Sequence, residues 1–251
     1  MSIAEKLTTI AENMQGVYDK GFADGQSQGG GDEYQTAMWN GIQQNGTRTD
    51  YQNAFRYWKK SHDYWKPLYD IKTGGISMMF YGFSSDIGLP ELCKRAGITI
   101  DTSGSTTFGQ VFSYATIPDV GTIDFTNENC TSIGTPFIYS YVAKAHLIVK
   151  ADGSQTGWTN VFTGAKYLTD LTIEGVIGDT ASFRDCPLNK ASIENVFEVL
   201  SGTKSGKTVT FKKSAVNDAF GIDVDDETTF PEGSEYYELR NSKSNWTVGY
   251  A

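Results

Sequence analysis

Ile98-Thr99-Ile100, Ile123-Asp124-Phe125, Leu147-Ile148-Val149 and Leu171-Thr172-Ile173 are four apolar-x-apolar tripeptides whose first residues lie 25, 24 and 24 positions apart. A second column runs in phase with them: Phe112-Ser113-Tyr114-Ala115, Phe137-Ile138-Tyr139-Ser140, Phe162-Thr163-Gly164-Ala165 and Phe183-Arg184-Asp185-Cys186. Two residues beyond each small side chain comes a third position, Ile117, Val142, Tyr167 or Leu188. Self-similarity of this kind marks chains in which each supersecondary unit covers the apolar edge of the next. The reading is an α/β solenoid, with the four tripeptides as parallel strands of one sheet and the phenylalanines stacked inside as a second column.

Working outward, Ile76 to Phe80 alternates as a strand and precedes Ile98 by 22 residues, which makes it the first unit, with a short helix from Leu89 to Arg95 ended by Gly97. After Leu188 the period lengthens. Ile193, Val196, Phe197 and Leu200 share one helical face behind a Ser192 cap, Thr208 to Phe211 is the next strand, Glu235 to Asn241 a helix and Trp246 to Val248 the last strand. The solenoid body is thus residues 76–190, and residues 191–251 form helix-bearing closing units.

Toward the N-terminus, Ile3, Leu7, Ile10, Met14 and Val17 are spaced 4, 3, 4 and 3, a heptad seam that predicts a coiled-coil-like helix over residues 1–24. Leucine at a with a β-branched residue at d favours three or four strands over two, so the expected state is a homo-oligomer, with a trimer favoured. A monomeric amphipathic helix folded onto its own domain is the alternative. Residues 25–31, rich in glycine, are a linker by composition. Residues 32–75 are dense in aromatics, among them Trp58 and Trp65. Such a segment caps the first exposed unit of a solenoid or offers rings for carbohydrate stacking.

The 251 residues carry 21 basic and 30 acidic side chains, a net charge of −9, with the basic residues scattered, so there is no electrostatic footprint for nucleic acid. No window is apolar enough to span a membrane, and the start Met1 to Lys6 is not a secretory signal. Cys93, Cys130 and Cys186 are too few and too far apart for a disulfide framework or a zinc site. They read as buried apolar side chains.

The phenylalanine column, above all Phe183-Arg184-Asp185-Cys186-Pro187-Leu188, resembles the BspA-like class of leucine-rich repeats when set beside the strand column. The copies here lack that class's run of leucines and its proline after the strand. The whole layout is similar to a group of tail-region proteins of phages and prophages of gut Firmicutes, through Met1 to Leu7, Asn45 to Thr49 and Ser244 to Thr247. The resemblance implies a leucine-rich-repeat-like solenoid. It also implies a virion protein made in the bacterial cytoplasm without a signal peptide, a tail-tip or fibre component touching other tail or baseplate proteins and a host receptor. A purely structural tail component, or a tail-associated glycan hydrolase, is the alternative.

Chemistry-bearing patterns are sparse. His62 and His146 have no partners at metal-ligand spacing, and there is no phosphate loop. Asp223 to Glu227 lacks the glycine and terminal glutamate of a calcium loop and reads as a solvated acidic stretch. No catalytic residue, metal site or cofactor is expected. Side-chain alternation along the strands puts Thr99, Asp124, Ile148 and Thr172 outward, flanked by Asp101, Thr126, Lys150 and Glu174. That ladder is the expected receptor-binding face, against a glycan or protein of the host surface, with Trp58 and Trp65 as the alternative site.

Overall fold

The computed structural model describes residues 55–59, 70–72 and 75–251. The heptad residues Ile3, Leu7, Ile10, Met14 and Val17, the linker, Trp65, His62 and most of the aromatic segment lie outside the described residues.

Elements follow in the order β1 (Ile71–Lys72), α1 (Leu89–Ala96), β2 (Ile100–Asp101), β3 (Asp119–Asp124), β4 (Lys144–Ile148), β5 (Asp170–Glu174), β6 (Ala181–Phe183), α2 (Lys190–Val199), β7 (Lys207–Phe211), α3 (Lys213–Phe220), α4 (Glu235–Asn241) and β8 (Trp246–Tyr250). Among the described residues all strand pairing is parallel, but it falls into three separate groups: β1-β2, β3-β4-β5 and β6-β7-β8. This corrects the expected fold. The molecule is mixed α/β, with two small three-stranded parallel sheets that are neither curled nor closed, and it is not a leucine-rich-repeat solenoid built on one continuous sheet. The layout on which the resemblance to tail-region proteins drew is corrected with it. Of the four tripeptides, the first contributes Ile100 to the two-stranded pair and only the other three enter a common sheet.

The breaks have physical causes. Between β2 and β3 the backbone ladder is replaced by a side chain: Asp124 N donates to Thr102 Oγ1 at 2.7 Å, with Thr102 itself buried. At the far edge, β5 meets helix α2 in place of another strand. Leu171 N donates to Ser192 Oγ (2.8 Å) and Ile173 N to Asn195 Oδ1 (2.7 Å), while Asn195 Nδ2 returns a bond to Ile173 O (3.2 Å). Two side chains of one helix thus satisfy edge groups that would otherwise be orphaned. Asn189 Oδ1 caps that helix on Ser192 N, a position three residues before the expected Ser192 cap, and Ile193, Val196 and Phe197 bury its apolar face. Ser192→Ala strands the buried Leu171 N–H and is expected to cost about 1–3 kcal/mol in a urea melt, well above what an exposed serine would give.

Register inside the sheet also differs from the spacing. Leu147 pairs with Ile123 on one side and with Ile173, not Leu171, on the other. Leu171 lies opposite Ala145. The outward columns are therefore Thr122, His146 and Thr172, then Asp124, Ile148 and Glu174.

Behind the strands the phenylalanines stack. Phe55, Phe80, Phe112, Phe137, Phe162, Phe183 and Phe211 form one buried column with successive ring centroids 5.2–5.8 Å apart and interplanar angles of 3–29°. The backbone there turns tightly. From Phe55 to Phe183 each Phe C=O accepts from the N–H three residues on, as in Phe112–Ala115, Phe137–Ser140 and Phe162–Ala165, and the tyrosine two past Phe55, Phe112 or Phe137 is left with its side chain toward solvent. Cys130 and Cys186 are buried free thiols and Cys93 is half-buried; burial pushes Cys93 up to about 12 and raises the other two, so all three are inert apolar fillers. No helix among the described residues is long and apolar enough to cross a membrane.

Candidate functional site

Two residues past Phe55, Phe80, Phe112, Phe137 and Phe162 stand Tyr57, Gly82, Tyr114, Tyr139 and Gly164. All five have positive φ, from 53° to 70°. The turn demands the left-handed region, which glycine enters freely and an L side chain enters at roughly 1–2 kcal/mol. Gly82 and Gly164 are the low-cost solution; the three tyrosines are not. Met78 and Gln110, two residues before a phenylalanine of the column, carry the same positive φ.

Nor do the tyrosines recover the cost by burial. Tyr57, Tyr114, Tyr139, Tyr141 and Tyr167 are 47–55% exposed, and among the described residues they are the exposed large hydrophobic side chains. Tyr57, Tyr114 and Tyr139 stand in the turns that follow a phenylalanine of the stack, and Tyr141 and Tyr167 come four and five residues past one. Together with the half-buried Tyr81 their rings meet in two rows. In the first, Tyr57, Tyr81, Tyr114 and Tyr139 follow one another at centroid distances of 5.4, 5.3 and 5.5 Å, and in the second Tyr141 lies 5.1 Å from Tyr167. Ser140, buried between Tyr139 and Tyr141, ties the rows together along the chain.

Glycines make room for the rings. A Cβ on Gly82 would come 2.7 Å from Tyr57 Cδ1, and one on Gly164 would come 2.3 Å from Tyr139 Cδ1. Each tyrosine at the end of a run therefore leans over the neighbouring glycine. Arg56 lies over the rings of both Tyr57 and Tyr81, its guanidinium carbon 4.9 Å from each centroid.

Beside the first row is a cleft of about 430 Å³ lined by Tyr57, Lys59, Tyr81, Gly82, Ser84, Tyr114 and Thr116. Its polar groups are one cation and hydroxyls. Desolvation, followed by the neighbouring Tyr57 and Tyr114, raises the Tyr81 phenol above its ordinary value, so at neutral pH it is a neutral donor and acceptor. Half-exposed rings beside fixed hydroxyls suit a ligand with alternating apolar faces and polar edges.

The strand ladder singled out by sequence is largely occupied with its own turns. Asp101 Oδ1 accepts from Ser103, Asp124 Oδ1 from Thr126, and Lys150 Nζ donates to Glu128 O. Thr99 Oγ1 donates to Asp70, and Glu174 Oε1 lies 2.8 Å from His146 Nε2. Ile148 is half-buried between Asp124 and Glu174, and Thr172 is exposed beside His146. Trp58 is 3% exposed and so is not a surface ring. In the acidic stretch, Lys213 pairs with Asp225 and Asp226 caps Thr228. No cluster able to hold a metal ion occurs among the described residues.

Sequence reasoning passed over the tyrosines although Tyr114 and Tyr139 sit inside the quoted tetrapeptides. The usable signal was Phe-x-(Tyr/Gly): only a left-handed turn makes those two residue types share a column. Comparison with known proteins finds no matching family model, curated protein or solved structure.

Proposed function

We propose that this chain is a non-enzymatic binding protein whose tyrosine face holds a glycan of a cell surface. The observation that carries the reading is the placing of tyrosine, half exposed, at three left-handed positions that the same turn elsewhere gives to glycine. Backbone strain kept at a solvent face, where it gains little burial, is the pattern of positions held for contact rather than stability. Clustered exposed aromatics point the same way. Among the described residues the cleft lining includes no carboxylate, which favours holding a sugar chain over cutting one by a two-carboxylate mechanism.

The test is a double variant, Tyr114→Ala with Tyr139→Ala, set against Ile148→Glu with Lys150→Glu, each checked for an intact melt and then for binding to cell-wall polysaccharide and to whole cells. The tyrosine variant is expected to bind at least about tenfold more weakly, since truncating central tyrosines commonly costs 2 kcal/mol or more. The strand variant should bind as the unmodified chain does. The opposite pattern returns the site to the strand ladder.

A further inference from the structure

We infer that the ligand of the tyrosine face is a linear acidic glycan, a chain in which carboxylated sugars are interspersed with neutral ones, lying lengthwise along the row from Tyr57 to Tyr139. This rests on the binding role proposed above and adds the ligand's shape and charge.

Shape comes first. The four rings of the row follow at 5.4, 5.3 and 5.5 Å, a nearly constant step, because each stands on the turn above a phenylalanine of the evenly stacked buried column. The ring planes turn along the row, at 86°, 51° and 32°, so the ridge offers a series of ring edges and faces at a constant step, with Tyr81 half-buried among exposed neighbours. A polymer of repeating rings uses that surface along its length, whereas a compact ligand uses one step of it.

Charge comes second. The chain carries a net charge of −9, yet the start of the row is cationic: Arg56 lies over Tyr57 and Tyr81, and Lys59, an exposed side chain, lines the adjoining cleft. The remaining polar lining there, Ser84, Thr116 and the tyrosine hydroxyls, is neutral. A cationic spot in an acidic molecule focuses an anion at that point. Densely charged polymers such as nucleic acid are disfavoured by the overall charge. A sugar chain with spaced carboxylates fits both conditions, placing one carboxylate against Lys59 and Arg56 and neutral sugar faces on Tyr114 and Tyr139.

The experiment titrates the full chain by calorimetry with oligosaccharides of hyaluronan and of unsulfated chondroitin, each beside its carboxyl-reduced form, for the unmodified chain and for Lys59→Glu. Lys59 is exposed, so an unchanged melt is expected of the variant. The acidic oligosaccharides should bind about tenfold more tightly than their reduced forms, a difference that added salt erodes. Lys59→Glu should abolish that preference, so that the acidic forms bind no more tightly than the reduced ones. Equal binding of acidic and reduced forms, a preference untouched by Lys59→Glu, or no binding of either form overturns the acidic-glycan assignment. In each of those cases the broader reading still stands if the Tyr114→Ala, Tyr139→Ala variant loses binding to cells. It falls if that variant binds cells as well as the unmodified chain.

Discussion

Truncating Phe137 to alanine is expected to lower the unfolding free energy by about 3–5 kcal/mol, the upper range for a buried aromatic. Phe137 has no exposed surface and lies between Phe112, 5.6 Å away at 12°, and Phe162, 5.5 Å away at 15°. Its removal deletes the ring's burial and two stacking contacts, each worth about 0.5–1.5 kcal/mol beyond burial. The gap cannot close by local collapse, since the neighbouring rings are held from their far sides by Phe80 and Phe183. Urea melts of Phe137→Ala and Phe137→Leu give the check. Leucine fills most of the volume and should recover a substantial part of the loss. Equal and small losses for both would mean that the stack is incidental to stability.

Gly175→Ala is the second large effect, and here the cause is the backbone. Gly175 follows directly on β5 with φ of +108°, a region closed to L side chains. A Cβ built there would lie 2.2 Å from the carbonyl oxygen of Val149, the residue that follows β4. Neither a rotamer change nor a small side-chain shift relieves contact with main chain, and Val149 N is already committed to Glu174 O at 2.8 Å. The expected cost is about 3 kcal/mol or more, since strained φ and backbone overlap act together. Gly202→Ala is the control: nothing lies within 4 Å of a Cβ at Gly202, and its melt should move by no more than about 1 kcal/mol. Similar melts for the two variants would show that the close approach at Gly175 is relieved without cost.

The phenylalanine spacing was the most legible part of the chain, because a large ring next to a small residue at fixed distance leaves few ways to pack. The strands were less so. Leu171 and Ile173 both fit the alternation, and only the pairing of Lys144 with Asp170 decides that Ile173 faces Leu147. Where the sheets stop was not legible at all. Thr102, Ser192 and Asn195 look like ordinary flanking polar residues, and their capture of ladder N–H groups depends on a partner 21 or 22 positions away. Helix α3 and strand β6 were likewise missed, the first in a stretch given no element and the second by the shortened interval before Phe183. As for the site, alternation along the strands drew attention to the Thr99 to Glu174 ladder, whose groups serve mainly to end their own strands. Tyr114 and Tyr139 escaped because a left-handed turn is ordinarily announced by glycine or asparagine, not by tyrosine.

The clasp of Ser192 and Asn195 on β5 has a bearing on how these molecules behave in a crowd. An uncovered strand edge is a template on which a foreign chain can add itself, the first step toward aggregation or exchange of segments between copies. Along β5 the Leu171 and Ile173 N–H groups that would recruit such a strand are already taken, by side chains that cannot propagate a ladder. Helix α2 therefore acts as a stopper against fibril-like growth from the central sheet. The region to watch during heating is that helix, since its loosening would bare the edge while the phenylalanine stack still holds the rest of the molecule together.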